Sequence, residues 1–294
     1  MKILVSYRGI PQSPGWATGD FVVNEFRNLG HEVTVYGNYY QTDKQIENNT
    51  KENIFDNQYD LALFMECNDA DPQYLELTRA NGLKTKVFAS WFFDTTYYKD
   101  NLVGLSNLLK FDVNFIANPL ELEKFNNSKL LLYALDNNHH HRVLKSNPNI
   151  EVSLFGSIRP DRKRMVTFLK CLGVDMSLSG GVFREQYIDA LNDTLITVNQ
   201  NPNQGRGLLN MRTFEAPACG SYLFLQNTDY VVNQKYFDPH GLCSVFSSNF
   251  DLARKIKTLL RDRSALDQRR KDLQEYFIDN HTYAHRCKEI LSQI

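Results

Sequence analysis

Apolar runs of strand length recur along this chain, each separated from the next by a stretch of helical periodicity, and the alternation is broken only once. It opens with Lys2-Ile3-Leu4-Val5-Ser6, a Gly/Pro-rich loop to Gly19, a helical segment over 21–29, and then Gly30-His31-Glu32-Val33-Thr34-Val35-Tyr36. Gly30 stops the helix and the next run starts at once, which is a βαβ opening. Further runs follow at 61–65, 86–91, 113–117 and 129–133, with helical stretches such as 72–81 and 120–125 between them. Strands linked through helices pair in parallel, so a sheet covered on both faces is expected.

The break comes after Asp136, where Asn137-Asn138-His139-His140-His141 and Lys145-Ser146-Asn147-Pro148-Asn149 are polar, as a solvated linker is. A second series of runs starts beyond it, at 151–155, 174–178, 194–198 and 222–225, with helices over 164–172 and 184–191. From Asn249 onward the pattern is helical. At 294 residues the chain is longer than one core usually organises. The expectation is therefore an α/β protein with a Rossmann-like domain over 1–136, a linker over 137–149 and a second Rossmann-like domain over 150–275. A C-terminal helix over 276–294 is expected to pack back on the first domain.

Lys and Arg number 33 against 34 Asp and Glu, so no chain-wide basic footprint for nucleic acid or an acidic membrane is present, and any phosphate site must be local. The apolar run at the N-terminus ends at Tyr7-Arg8-Gly9, too short for a signal peptide or a membrane span. A soluble cytoplasmic protein is expected. The five cysteines show no CxxC spacing and read as reduced thiols.

The most informative stretch is Gly205-Arg206-Gly207-Leu208-Leu209-Asn210-Met211-Arg212-Thr213-Phe214-Glu215-Ala216-Pro217-Ala218-Cys219-Gly220, which runs into the apolar Ser221–Leu225. A glycine-containing loop opening a helix presents unpaired N–H groups to an anion such as a diphosphate. Arg212 adds a cation one turn before Glu215, whose carboxylate suits the vicinal hydroxyls of a ribose. An ordinary i, i+3 ion pair between Arg212 and Glu215 is the alternative.

The pattern Asn-x-Arg-x-Phe-Glu-Ala-x-Ala-Cys-Gly before an apolar strand resembles the group 1 (family 4-like, retaining) glycosyltransferases, and most closely their CgeB-type branch. The resemblance implies the GT-B architecture, two Rossmann-like domains facing across a cleft. It also implies transfer of a sugar from a nucleotide diphosphate to a hydroxyl, with retention; because arginines and helix N–H groups can stabilise the departing diphosphate, no metal or other cofactor is expected. Glu215 matches the glutamate that holds the donor ribose, and Asn210, Leu208 and Leu209 fall in the loop that leads into its helix. The wider family often carries another Glu eight positions earlier; this chain has Gly207 there.

Other segments agree with the resemblance. Leu154-Phe155-Gly156-Ser157-Ile158-Arg159-Pro160-Asp161-Arg162 is similar to the turn that opens the donor domain, where a basic residue reaches the diphosphate. Arg162 fits that role best and Arg159 second, with a surface basic cluster as the alternative. Gly181 and Val182, in Ser179-Gly180-Gly181-Val182, match the turn that approaches the base. In the first domain Gly15 and Trp16 are candidates for diphosphate or acceptor contact. Asp94, after Trp91-Phe92-Phe93, is a candidate base for the acceptor hydroxyl or, alternatively, a helix cap. His139, His140 and His141 cannot all turn one way and read as solvated linker rather than metal ligands.

Arg212 and Asp94 are thus the catalytic candidates, Arg212 by stabilising the departing diphosphate. UDP-glucose and GDP-mannose are the first donors to consider, with a glycan, glycoprotein or small hydroxyl compound as acceptor. A virus- or bacterium-encoded enzyme that decorates a surface glycan is the expected setting. A nucleotide-sugar-binding protein without turnover is the rival reading, and Gly207 favours it; a nucleotide-sugar epimerase would need carboxylate and His groups around the anomeric carbon.

Overall fold

The structure is a computed structural model, and it describes residues 1–9, 16–37, 51–66, 77–93, 95–200 and 209–294. The chain forms two units, one of Met1–Leu132 with Tyr283–Ile294 and the other of Tyr133–Thr282. Each holds a parallel sheet of Rossmann type.

In the first unit β1 (Lys2–Ser6), β2 (Glu32–Tyr36), β3 (Gln58–Glu66), β4 (Lys84–Phe92), β5 (Val113–Ile116) and β6 (Ser128–Leu130) lie in the order β2-β1-β3-β4-β5-β6. Helices α1 (Thr18–Asn28), α2 (Lys51–Phe55) and α3 (Thr95–Leu109) connect them. Gly30 ends the first helical segment with φ +82°, in the left-handed region that glycine adopts without a Cβ penalty. At the other end of α1, Asp20 accepts from the Ala17 N–H at 2.9 Å and from the Tyr7 hydroxyl. The core is dense in phenylalanine, with Phe111 packed against Phe64, Phe88 and Phe92. Trp91 belongs to the interior too: it is fully buried, and its indole N–H donates to the Leu131 carbonyl at 3.1 Å. Of the helical stretch expected over 72–81, only the turn Arg79–Asn81 is described, and 72–76 lie outside the described residues.

In the second unit β7 (Ile150–Phe155), β8 (Met176–Ser179), β9 (Thr194–Asn199), β10 (Tyr222–Gln226) and β11 (Ser244–Phe246) lie in the order β8-β7-β9-β10-β11. All six residues of β9 are buried, as a central parallel strand requires. The helices are α4 (Asn137–His140), α5 (Pro160–Cys171), α6 (Arg184–Asn192), α7 (Arg212–Ala218), α8 (Asn227–Phe237), α9 (Asn249–Arg261) and α10 (Arg263–Asn280). Strand β11 and helix α8 have no counterpart in the sequence expectation; β11 is three residues long, too short to give a periodic signal.

The junctions differ from the expected ones. Segment 137–149 is packed on the second unit instead of standing as a solvated linker. His140 is buried, the Arg142 N–H donates to Ala218, and Lys145 and Asn149 both bind Asp193. At the C-terminus α10 stays with the second unit to Thr282, and α11 (Tyr283–Leu291) returns to the first. There Tyr283 meets Phe21 of α1 at 5.4 Å between ring centroids.

Candidate functional site

The strand order of the second unit reverses direction between β7 and β9, and in open α/β sheets ligands bind beyond the carboxyl ends of the two strands that flank such a point. Those ends are Phe155 and Asn199. Gly156 follows Phe155 with φ +118°, and a Cβ there would lie 2.7 Å from Nη2 of Arg212 and 2.9 Å from Nη1 of Arg162. Two guanidinium groups therefore lie side by side over one glycine. Arg162 is only 4% exposed and staples the two strand ends, donating to the Ser157 carbonyl at 3.0 Å and the Gln200 carbonyl at 2.8 Å. Arg212 donates to Asn199 Oδ1 at 3.2 Å, while its buried Nε has no hydrogen-bond partner. Neighbouring like charges of this kind favour an anion between them.

Asn199 is the hub of this arrangement. Its Oδ1 accepts from Arg212 and from Asn210 Nδ2 at 3.1 Å, and its Nδ2 donates to Asn210 Oδ1 at 3.0 Å and Thr213 Oγ1 at 2.9 Å. Asn210 is thus joined to Arg212, and Leu209 is buried beneath them. The helix that begins at Arg212 has seven residues, so few peptide dipoles sum along it, and the positive charge at this end comes from the arginines.

Glu215 lies one turn on, 7% exposed. The ion pair with Arg212 that the sequence left open is not formed; the two side chains turn to different partners. Glu215 Oε2 accepts from the Tyr187 hydroxyl at 2.9 Å, and Oε1 lies 3.5 Å from Nε2 of His140. Burial pushes the Glu215 carboxyl up, but hydrogen bonds from His140 and Tyr187, with the charge of Arg212, bring it below the ordinary carboxylate range. Burial and then the Glu215 charge drive the Tyr187 hydroxyl well above the usual phenol range, so it stays a donor.

The remaining candidates divide. Gly181 has φ +73° and Val182 follows it; a Cβ on the adjacent Gly180 would meet Ile158 at 2.7 Å and the Gly156 carbonyl at 3.1 Å. This turn is therefore pressed against the Gly156 loop, and the Gly156 N–H donates to Ser179. Arg159 does not join the other arginines, because Asp161 holds its Nε and Nη2 at 3.1 Å each. In the first unit Trp16 is half-buried just before α1. Gly15, Asp94 and Leu208 lie outside the described residues.

The three histidines separate: His139 binds Asp136 at 2.6 Å, His140 faces Glu215 and His141 is exposed. Among the described residues no group of His, Cys, Asp and Glu has the makings of a metal site, and no helix is long and apolar enough to cross a membrane. Asn199, Tyr187 and His140 were missed from the sequence. A polar residue at the end of a buried strand was the available signal for Asn199.

No curated protein sequence matches the chain. Among solved structures, Anabaena HepE in complex with UDP and glucose is similar, with a TM-score of 0.69 at 11% identity over 100% of this chain and 99% of that one. Sucrose-phosphate synthase from Thermosynechococcus elongatus gives 0.67 at 10% identity over 99% and 98%. An alpha-glucosyltransferase in complex with UDP and a mismatched DNA gives 0.66 at 12% identity over 99% and 98%. At such identities the likeness is one of fold, the two Rossmann-like units of GT-B enzymes. The glycosyl transferase-like family matches residues 137–292, more than half of the chain and all the residues just described around Gly156 and Glu215, and the protein belongs to that family.

Proposed function

We propose that this glycosyltransferase takes its sugar from a nucleoside diphosphate donor bound at the β7–β9 end of the second unit. It transfers that sugar to a hydroxyl acceptor, with retention and without a metal. The carrying observation is the convergence of Arg162 and Arg212 over Gly156, with Glu215 one helical turn away. In this reading the diphosphate lies on the two arginines, the ribose on Glu215, and the base against the turn at Gly181 and Val182.

As the bond from the anomeric carbon to the diphosphate oxygen breaks, negative charge collects on the departing phosphate. Arginines already held by Asn199, Ser157 and Gln200 stabilise that charge without rearranging. The acceptor oxygen bonds to the same face of the anomeric carbon, and its proton passes to the leaving phosphate oxygen or to Asp94. UDP-glucose is the first donor to test, since complexes with UDP and glucose or with UDP occur among the structural neighbours. GDP-mannose is the second.

The test is calorimetric titration of UDP and GDP without added metal, followed by product analysis with the matching nucleotide sugars. Glu215→Ala is expected to weaken the bound nucleotide by about 1.5–3 kcal/mol, the usual worth of hydrogen bonds to a charged group. An inverted anomer as sole product would overturn retention. A binding protein without turnover is the second reading, favoured by Gly207 where the family often has a glutamate; nucleotide binding with no transfer to any glycan, protein, small-molecule or DNA acceptor would support it.

A further inference from the structure

We propose that His140 and Tyr187 are positioning residues that aim the Glu215 carboxylate at the two hydroxyls of the donor ribose, which makes segment 136–149 a working part of the donor site. This rests on the donor reading above and goes beyond it by assigning residues that do not themselves touch the donor.

A carboxylate has about four lone-pair directions, two on each oxygen. Tyr187 occupies one on Oε2 at 2.9 Å, and His140 lies against Oε1 at 3.5 Å. One acceptor direction is left on each oxygen, and the two hydroxyls of a vicinal diol supply two donors to match. A buried carboxylate without such supports would turn toward water or take up a proton.

The histidine is itself fixed. Its Nδ1 lies 3.0 Å from both the backbone N and O of Asp136. Where Nδ1 accepts from the Asp136 N–H, the neutral ring carries its proton on Nε2, the atom that faces the carboxylate. The Asp136 side chain caps α4 by accepting from the His139 N–H at 2.9 Å.

Shared donors then lock the segment to the end of α7. Gln274 Nε2 donates to the carbonyls of both Arg142 and Ala218 at 2.7 Å. Asn192 Nδ2 does the same for Val143 at 3.1 Å and Cys219 at 2.8 Å. Each amide thus joins one carbonyl of the segment to one of the carbonyls that a helix end leaves open. His140 and Glu215 are held in one frame.

The experiment titrates UDP, and separately its dideoxy form that lacks both ribose hydroxyls, into wild type, His140→Ala, His140→Gln, Tyr187→Phe and Glu215→Ala. If wild type prefers GDP, the guanosine pair replaces them. His140→Ala and Tyr187→Phe are each expected to weaken UDP about tenfold, from the loss of one hydrogen bond to a charged group, and to leave the dideoxy nucleotide unchanged. His140→Gln, which keeps a donor near the Nε2 position, is expected to recover part of the loss. Equal losses with both nucleotides would mean that the two residues only support the fold, and the proposal falls. Glu215→Ala weakening UDP while the His140 and Tyr187 variants do not would leave the donor reading standing and remove the positioning role. Glu215→Ala without effect, or a wild type that binds neither nucleotide, overturns the donor reading and this proposal with it. Should His140→Ala fail to fold, His140→Gln and Tyr187→Phe carry the same comparison.

Discussion

A Cβ on Gly156 would lie 2.7 Å from Nη2 of Arg212, so the bare backbone at one residue is the condition for the position of the other. The same Cβ would press on Arg162 at 2.9 Å, and the φ of +118° is itself costly for any side chain. Gly156→Ala is therefore expected to lose about 1–3 kcal/mol of stability and to push both guanidiniums off their shared position. Calorimetry should show UDP affinity reduced at least about tenfold relative to wild type. Undiminished affinity in a folded Gly156→Ala protein would remove the diphosphate from this loop.

Asn199 offers a separation of charge from position. Asn199→Ala deletes the acceptor for Arg212 and Asn210 and the donor to Thr213, which leaves buried polar groups unpaired. A loss of about 1–3 kcal/mol in urea denaturation is expected. Asn199→Asp keeps the acceptor for Arg212 but puts a carboxylate against that guanidinium, where it would compete with the diphosphate of the proposed donor. Nucleotide affinity should thus fall further in the Asp variant than in the Ala variant, although the Asp variant is the more stable. The reverse order of affinities would show that no anion binds there.

The elements that could be read from the sequence are those whose signal is local. Buried parallel strands such as Tyr222–Gln226 read as near-continuous apolar runs, and Gly30 and Gly220 mark helix ends by their φ of +82° and +84°. The cluster Arg162, Arg212, Glu215 followed from spacing and resemblance. What spacing does not carry is which long-range partner a side chain finds. Arg159 and Arg162 were near-equivalents in sequence, yet Asp161 takes one while the strand ends take the other. The polar composition of 137–149 is that of a linker, but its polar groups are spent on Asp193, Gln274 and Glu215, which come from elements far along the chain.

The Glu215 carboxyl also gives a pH signature. Its folded-state pKa lies below the ordinary value, so its contribution to stability is fully present above the unfolded value of about 4.3 and is lost as the pH falls through the folded one. Urea denaturation at a series of pH values should show wild type and Glu215→Gln differing by a constant amount above about pH 5. The difference should shrink on acidification below that. Parallel curves at every pH would mean that the hydrogen bonds from Tyr187 and His140 do not favour the ionised form.

Arg270 tests how firmly the frame around α7 is built. Its side chain is 1% exposed, and it donates to Gly220 at 2.8 Å and to Lys145 at 3.2 Å while pairing with Asp267 at 2.8 Å. It thus ties α10 both to the end of α7 and to segment 137–149. Arg270→Met keeps the bulk and the apolar stem but strands two carbonyls; it also relieves Nη2, which is buried without a hydrogen-bond partner. The two effects oppose each other, and the losses outweigh the relief because three charge-assisted bonds, to Gly220, Lys145 and Asp267, are lost for one unsatisfied group removed. A net loss of about 2 kcal/mol is expected in urea denaturation. Because Arg270 reaches Glu215 only through backbone, UDP affinity should fall less in Arg270→Met than in Asn199→Ala. A larger fall in Arg270→Met would place the control of the donor site in α10 and not at the strand ends.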